Sequence, residues 1–145
     1  MQTVERVIIH ADRAAIWQVL ADVERWPRWT PTVLEVQPLE NHGLHVGSRY
    51  RITQPKLRPA IYEVTECVPH QAFTWVQKAP GSVMIADHRL NAGDGASTEV
   101  ELSFATEGPL GAILGSFYAK RICDLVRTEA RSLKSHCEML AAKSA

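Results

Sequence analysis

One histidine in this sequence is placed where it could do chemistry. His88 lies in the segment Ser82 to Leu90, SVMIADHRL, whose alternation predicts a β-strand. On the inward face of such a strand, a neutral imidazole could orient a ligand oxygen or act as a general base. Tyr62 and Gln77 are predicted to lie on the same face of neighbouring strands. The alternative is that His88 is simply satisfied by Tyr62, Gln77 or a water molecule.

General acid–base work also needs a carboxylate or hydroxyl partner for the imidazole. Asp87 and Arg89 flank His88, so alternation turns both to the outer face, where they are predicted to form a surface pair. The adjoining strand offers no carboxylate on the inner face, because its side chains there are Val100, Leu102 and Phe104. His88 and Tyr62 are therefore the candidate catalytic residues, and no carboxylate partner is assigned.

Neither a metal site nor a cofactor site is predicted. The 6 histidines form no ligand cluster. His42 and His45 are suggestively spaced, but they lie in a turn signal with no cysteine or acidic partner nearby apart from Glu40. The sequence also lacks a nucleophile elbow and a glycine-rich phosphate loop.

The candidate residues need a sheet to hold them. About six segments of alternating or β-branched sequence follow Thr32, and turn residues separate them, most clearly from Asn91 to Gly95. Short connections favour hairpins and an antiparallel meander. Before this meander, the pattern predicts a strand from Thr3 to His10 and two short helical pieces, Arg13 to Ala21 and Val23 to Trp29.

One face of the sheet is predicted to form the wall of a ligand pocket. Directly opposed residues of antiparallel strands share a face, and this face is mostly aromatic and aliphatic with scattered polar groups. The alternative is that these side chains only fill a core. Trp29, near the short helices, is predicted to close the pocket. The strand residues predicted to bind a ligand are Tyr62, Phe73, Trp75, Gln77, Met84, His88, Val100, Leu102 and Phe104.

A long helix is predicted from Gly108 to about Leu140, where apolar residues recur in steps of three and four. Roughly 32 residues would make it about 48 Å long at ~1.5 Å per residue, and Pro109 suits its first position. Gly111 and Gly115 in its uncharged start indicate either close packing on the sheet or a pliable portal for an apolar ligand. This helix adds three predicted ligand contacts, Leu114, Phe117 and Tyr118.

Composition excludes several classes of function. Lys plus Arg equals Asp plus Glu, 16 against 16, so the positive excess that nucleic-acid or anionic-membrane binding normally needs is missing. An odd number of cysteines, 3, argues against a disulfide framework and for a reducing cytoplasm. No leader and no apolar run near ~20 residues is visible, so neither secretion nor membrane insertion is predicted. The length fits a single domain spanning residues 1–145.

Short motifs, in order along nearly the whole chain, carry a family resemblance. They are Ala11-Asp12 before a helix with Ile16-Trp17 and Leu20, then Trp26-Pro27, Trp29-Thr30-Pro31, Gly47, Glu63 to Pro69, Phe73-Thr74-Trp75, His88-Arg89-Leu90, Gly95 to Thr98, and Gly108-Pro109-Leu110. Together they resemble the SRPBCC superfamily, which includes the birch pollen allergen, the START lipid-transfer domains and the polyketide cyclase/dehydrase-like proteins. The resemblance implies an α+β helix-grip fold, in which a curved antiparallel sheet of about six or seven strands grips the C-terminal helix around a cavity. It transfers no catalytic residue by motif.

Three hypotheses about function follow. The first is a cytoplasmic carrier or sensor that binds a hydrophobic or aromatic small molecule, or a lipid, in that cavity. The second is an enzyme of the polyketide cyclase/dehydrase or aromatase type that uses a cavity histidine or tyrosine. The third is an interaction module, such as a homodimer, built on the apolar lip from Leu110 to Tyr118.

Overall fold

A seven-stranded antiparallel sheet is the framework of the molecule, in the order β1-β7-β6-β5-β4-β3-β2. The computed structural model describes residues 1–41 and 43–144. From β2 to β7 each strand pairs with the next along the chain, so the predicted meander is confirmed, and β1 closes the other edge by pairing with β7. The strands are β1 Gln2–Ile9, β2 Glu35–Pro38, β3 Arg49–Thr53, β4 Ala60–Val68, β5 Ala72–Ala79, β6 Ser82–Ala92 and β7 Thr98–Glu107.

The register of the central strands places the predicted wall on one face. His88 of β6 lies opposite Phe73 of β5 and Leu102 of β7. Ala86 likewise lies between Trp75 and Phe104. Since opposed residues share a face, these rows form a continuous wall.

Two short helical elements follow β1, as predicted. α1 spans Arg13–Ala21, and the Asp12 carboxylate caps it by accepting from the Ala15 amide at 2.8 Å. A 3₁₀ helix spans Val23–Arg28 and includes Pro27. The tight winding suits a segment in which proline removes one amide donor.

The long helix, α2, spans Pro109–Ser144 and lies against the sheet. Its first turns contact the sheet through small residues, because a Cβ added at Gly115 would meet Thr106 Oγ1 at 2.5 Å. Gly111 and Gly115 therefore provide close packing. The larger side chains Ile113 and Phe117 point away from the sheet and are exposed. These exposed apolar side chains belong to the lip predicted to mediate self-association, which stays a prediction.

Further along, the predicted apolar stripe of α2 is buried. Ile122, Ala130, Leu133 and Cys137 are inaccessible to solvent or nearly so. The last three pack into a core shared with β1, α1 and the sheet wall. Sheet and helix thus pack closely at this end of α2 and at Gly111 and Gly115, and a cavity lies between them along the stretch of α2 from Leu114 to Glu129.

Candidate functional site

A cavity of about 660 Å³ lies between the sheet and α2. That volume falls inside the range of about 300–1,000 Å³ in which proteins commonly hold small molecules. Most residues predicted from the sequence to bind a ligand line it, and these are Tyr62, Trp75, Gln77, Met84, His88, Leu102, Phe104, Leu114 and Tyr118. The lining is therefore largely aromatic and aliphatic, with a few polar groups placed within it.

Two predicted strand contacts lie behind the cavity rather than in its lining. Phe73 and Val100 have no solvent-exposed surface and belong to the core. Phe73 is covered by Trp17 and Trp26, whose ring centroids lie 6.3 and 6.2 Å from its own. Both residues face inward as alternation predicted, but the short helices cover that end of the sheet.

Two further predicted contacts are also corrected. The indole of Trp29 stacks on His136 of α2, with ring centroids 6.4 Å apart, so it does not close the cavity. Phe117 is 78 % exposed and lies outside the lining. The physical reason is that α2 presents Gly115 to the sheet at this turn, which directs Phe117 outward.

The mouth of the cavity lies between the β3–β4 loop and the first turns of α2. Lys56 and Arg58 of the loop line the cavity and are exposed, as is Leu114 of α2. At the other end, the lining reaches Trp26, which is 1 % exposed. The cavity thus runs from a cationic rim to a buried aromatic end.

His88 lies at the buried end and is 3 % exposed. Its ring stacks on Phe73 with a centroid distance of 4.1 Å and meets Trp26 and Trp75 edge-on at 5.6 Å. His88 Nδ1 lies 3.1 Å from the carbonyl oxygen of Phe73. Because a carbonyl only accepts, Nδ1 carries the proton of the neutral ring, and Nε2 keeps a lone pair.

The carboxylate that the strands do not offer comes from α2. Glu129 Oε1 lies 3.8 Å from His88 Nε2, and both residues line the cavity. Glu129 Oε2 accepts from the Thr32 hydroxyl at 3.4 Å. That hydroxyl is itself 2.7 Å from the hydroxyl of Thr30. The two threonines, in the loop before β2, therefore hold the Glu129 carboxyl in place.

Burial sets the protonation of this pair. It lowers the pKa of His88 to about 4, although the hydrogen bond to the Phe73 carbonyl opposes the shift. It raises the pKa of the Glu129 carboxyl to about 7, against the effect of the Thr32 hydrogen bond. Burial and the nearby Glu129 charge raise the pKa of Tyr62 to about 12. Near neutral pH the site holds an uncharged imidazole, an uncharged phenol and a partly protonated carboxyl.

Comparison with known proteins identifies the family. A model of the family described as "Polyketide cyclase / dehydrase and lipid transport" matches residues 1–138. The chain belongs to this family. The superfamily resemblance given by the sequence motifs is thereby confirmed, and no curated protein matches the chain significantly.

Solved structures similar to this polyketide cyclase/dehydrase family member share its fold. A hypothetical protein from Helicobacter pylori has a TM-score of 0.81 at 13% identity, covering 94% of this chain and 88% of that one. The di-domain ARO/CYC BexL from the BE-7585A biosynthetic pathway has a TM-score of 0.74 at 19% identity, covering 97% of this chain and 47% of that one. A START superfamily protein from Mycobacterium smegmatis has a TM-score of 0.73 at 15% identity, covering 96% and 98%. The helix-grip fold is therefore confirmed.

In this family member the buried pair combines an acid and a base within reach of one ligand atom. Nε2 of a neutral His88 can accept a proton, and a protonated Glu129 can donate one. The Phe73 carbonyl and the Thr32 hydroxyl orient the two groups from behind. Such an arrangement can bind a polar group of a ligand or move protons on it.

Sequence reasoning missed Glu129, although a signal was present. Within α2 it follows Leu125 by four residues and precedes Leu133 by four, so it interrupts the apolar stripe that faces the sheet. A carboxylate at such a position must be buried, paired or functional. The contribution of Lys56 and Arg58 was also missed, because the β3–β4 loop has no periodic pattern.

The described parts of the chain contain neither a group of residues suited to a metal ion nor a helix suited to crossing a membrane. In residues 1–41 and 43–144, no three His, Cys, Asp or Glu side chains are grouped so that they could hold a metal ion. The pair His42 and His45 is not covered by this search, because His42 lies outside the described residues. Over the same ranges, no helix combines the length and the apolar character that a membrane crossing requires.

Proposed function

We propose that this protein binds a hydrophobic or aromatic small molecule in the cavity between the sheet and α2, as a carrier or sensor. The observation that carries the proposal is a cavity of about 660 Å³ lined by aromatic and aliphatic side chains. Trp26, Tyr62 and Trp75 give it flat apolar walls, and burial of a ligand ring against them is favourable by roughly 25 cal/mol per Å². The family's description, which includes lipid transport, is consistent with this proposal.

Filling the cavity is expected to abolish binding. Ala86 lines it from the middle of β6, so an Ala86→Phe variant places a phenyl ring in the space that a ligand would occupy. With the neutral fluorescent probe N-phenyl-1-naphthylamine, we expect the dissociation constant to rise at least about tenfold, the equivalent of ~1.4 kcal/mol. The measurement is a fluorescence titration of the folded variant beside the wild type.

Ala79→Phe is the matched control for that titration. Ala79 is exposed at the end of β5 and does not line the cavity, so the probe should bind this variant as it binds the wild type. If the two variants bind the probe equally well, the binding site lies elsewhere. If the wild type takes up no probe at all, the binding proposal is lost.

A second candidate function is an enzyme of the cyclase/dehydrase type, and the His88–Glu129 pair is the observation that favours it. In the proposed step, His88 Nε2 takes a proton from the carbon next to a ketone. The carbon–oxygen bond at the β-carbon breaks, the Glu129 carboxyl protonates the departing hydroxyl, and water leaves as the carbon–carbon double bond forms. A proton then returns from His88 to Glu129, which restores both groups.

Loss of either group should slow this reaction strongly. With 3-hydroxy-1-phenyl-1-butanone as the test substrate, enone formation can be followed by its ultraviolet absorbance. We expect His88→Gln and Glu129→Gln each to lower kcat/KM by about 100-fold, at the low end of general acid–base effects. Glu107→Gln, at the exposed end of β7, is the control that should leave the rate unchanged. A wild type no faster than buffer excludes this activity and leaves the binding proposal standing.

A further inference from the structure

The His88–Glu129 pair has hydrogen-bonding capacity that no other group in residues 1–41 and 43–144 uses. His88 Nδ1 is occupied by the Phe73 carbonyl, and Glu129 Oε2 by the Thr32 hydroxyl. The remaining atoms, His88 Nε2 and Glu129 Oε1, face each other at 3.8 Å. That separation exceeds the hydrogen-bond range of about 2.7–3.2 Å, so they do not satisfy each other. Both residues line the cavity, so a molecule in the cavity can supply the missing partner.

The gap between the two atoms fits one oxygen. Because 3.8 Å is less than twice a hydrogen-bond length of about 2.8 Å, an oxygen beside the pair can lie within bonding distance of both. Both residues line the cavity, so a ligand can reach this position. The aromatic side chains around it leave the rest of such a ligand in apolar surroundings.

The two atoms also define which oxygen fits. Nε2 of the neutral His88 needs a donor, whereas a protonated Glu129 needs an acceptor. Burial favours that protonated form, since it raises the pKa of the Glu129 carboxyl to about 7. A hydroxyl donates and accepts at once. A ketone or an ether has no proton to give to Nε2, so it satisfies only one side.

We propose that the buried end of the cavity is a hydroxyl-binding site, which takes a phenol, enol or alcohol on an otherwise apolar ligand. The ligand hydroxyl donates to His88 Nε2 and accepts from Glu129 Oε1. This inference rests on the proposed binding function and specifies its ligand class. A primary ammonium group would fit the pair less well, because it must shed its water in an apolar cavity and pass the cationic rim of Lys56 and Arg58.

Matched naphthalene probes test the inference. We expect 2-naphthol to displace N-phenyl-1-naphthylamine from the wild type at a concentration at least about tenfold lower than 2-methoxynaphthalene does, since a buried polar site discriminates against a ligand that leaves it unpaired. 1-Naphthylmethylamine should displace the fluorescent probe less well than 2-naphthol. In uniformly ¹⁵N-labelled protein, the resonance of His88 Nε2 should shift with 2-naphthol and stay in place with the methyl ether.

Variants assign the preference to the pair. In His88→Phe and Glu129→Leu the preference for 2-naphthol should fall to about onefold, whereas Glu129→Gln, whose amide still donates, should keep most of it. Tyr62→Phe removes another cavity hydroxyl and so tests whether that group carries the preference instead, and Glu107→Gln, which lies outside the cavity, is the control. If Glu129→Leu fails to fold, the probe preference of His88→Phe and the ¹⁵N shift still show whether the pair binds the hydroxyl.

The outcomes separate the two proposals. Equal affinity of the wild type for 2-naphthol and 2-methoxynaphthalene overturns the hydroxyl site while the binding function stands. A preference lost in Tyr62→Phe but kept in His88→Phe, or tighter binding of 1-naphthylmethylamine, also overturns it. If none of the probes enters the cavity, the binding function fails with it.

Discussion

Glu129→Gln is expected to stabilise the folded protein by up to about 3 kcal/mol at pH 8 and to change its stability little at pH 4. The folded-state pKa of this carboxyl is raised from 4.5 to about 7, chiefly by burial. A raised carboxyl pKa means that the wild type is most favoured below pH 4.5, where Glu129 is protonated in both the folded and the unfolded protein. The stability that protonated Glu129 contributes is lost as pH rises through 7, where the carboxyl ionises in the folded protein. Each unit of difference between its folded-state and unfolded-state pKa corresponds to about 1.4 kcal/mol.

The measurement is urea unfolding of both proteins at a series of pH values. The stability difference should grow between pH 4.5 and 7 and level off above that. Because His88 is present in both proteins, its own pKa of about 4 cancels in the comparison to first order. Glu107→Gln, an exposed substitution, should stay within about 0.5 kcal/mol of the wild type throughout. A flat difference curve for Glu129→Gln would mean that Glu129 is charged and well paired in the folded state.

The strand part of the site could be predicted from the sequence because alternation fixes a side chain's face. Val100 and Leu102 of β7 stand two residues apart, and pairing through the hairpin places Leu90 and His88 opposite them. Once one strand's face is assigned, its neighbours follow. Alternation does not say where along a strand the cavity ends. For that reason Phe73 was predicted as a ligand contact, although it lies under the short helices.

The helix part of the site could be predicted less well. A stripe of apolar residues shows that α2 faces the sheet, but not how close it lies at each turn. At the start of the helix the contact is made by Gly115, so Phe117 is turned to solvent. Further along, the same stripe carries Glu129 into the cavity. The glycines left close packing as one of two interpretations, whereas a charged residue adds nothing to an apolar count, so Glu129 was missed.

The edge of the sheet also differs in length from the prediction. Of the segments after Thr32, the first, Val33 to Leu39, is predicted as a strand over its whole length, whereas β2 spans only Glu35–Pro38. Before it, Thr32 is engaged with Thr30 and Glu129, and Val33 is buried in the core. Leu34 N still donates to the Thr53 carbonyl at 2.8 Å, whereas Thr32 supports the Glu129 carboxyl instead. The contact with Glu129 comes from a distant part of the chain, so a local pattern cannot reveal it.

Trp26→Ala is expected to destabilise the protein by about 4 kcal/mol, within the usual range of about 3–5 for a buried aromatic residue. The Trp26 side chain is almost fully buried and contacts the rings of Phe73, Trp75 and His88. Its Nε1 donates to the Leu20 carbonyl at 2.9 Å, which ties the 3₁₀ helix to α1. Removing the indole therefore opens a void beside His88 and leaves that carbonyl without its donor.

Trp26→Phe separates the two contributions. A phenyl ring keeps most of the contact with Trp75 but cannot donate to the Leu20 carbonyl, so the expected cost is about 1–2 kcal/mol, set by the lost hydrogen bond and some lost packing. Urea unfolding gives both values. A cost below about 1 kcal/mol for Trp26→Ala would show that the buried end of the cavity collapses around the void. In that case His88 and Glu129 would not be held at a fixed separation, and the preference for one ligand hydroxyl would lose its structural basis.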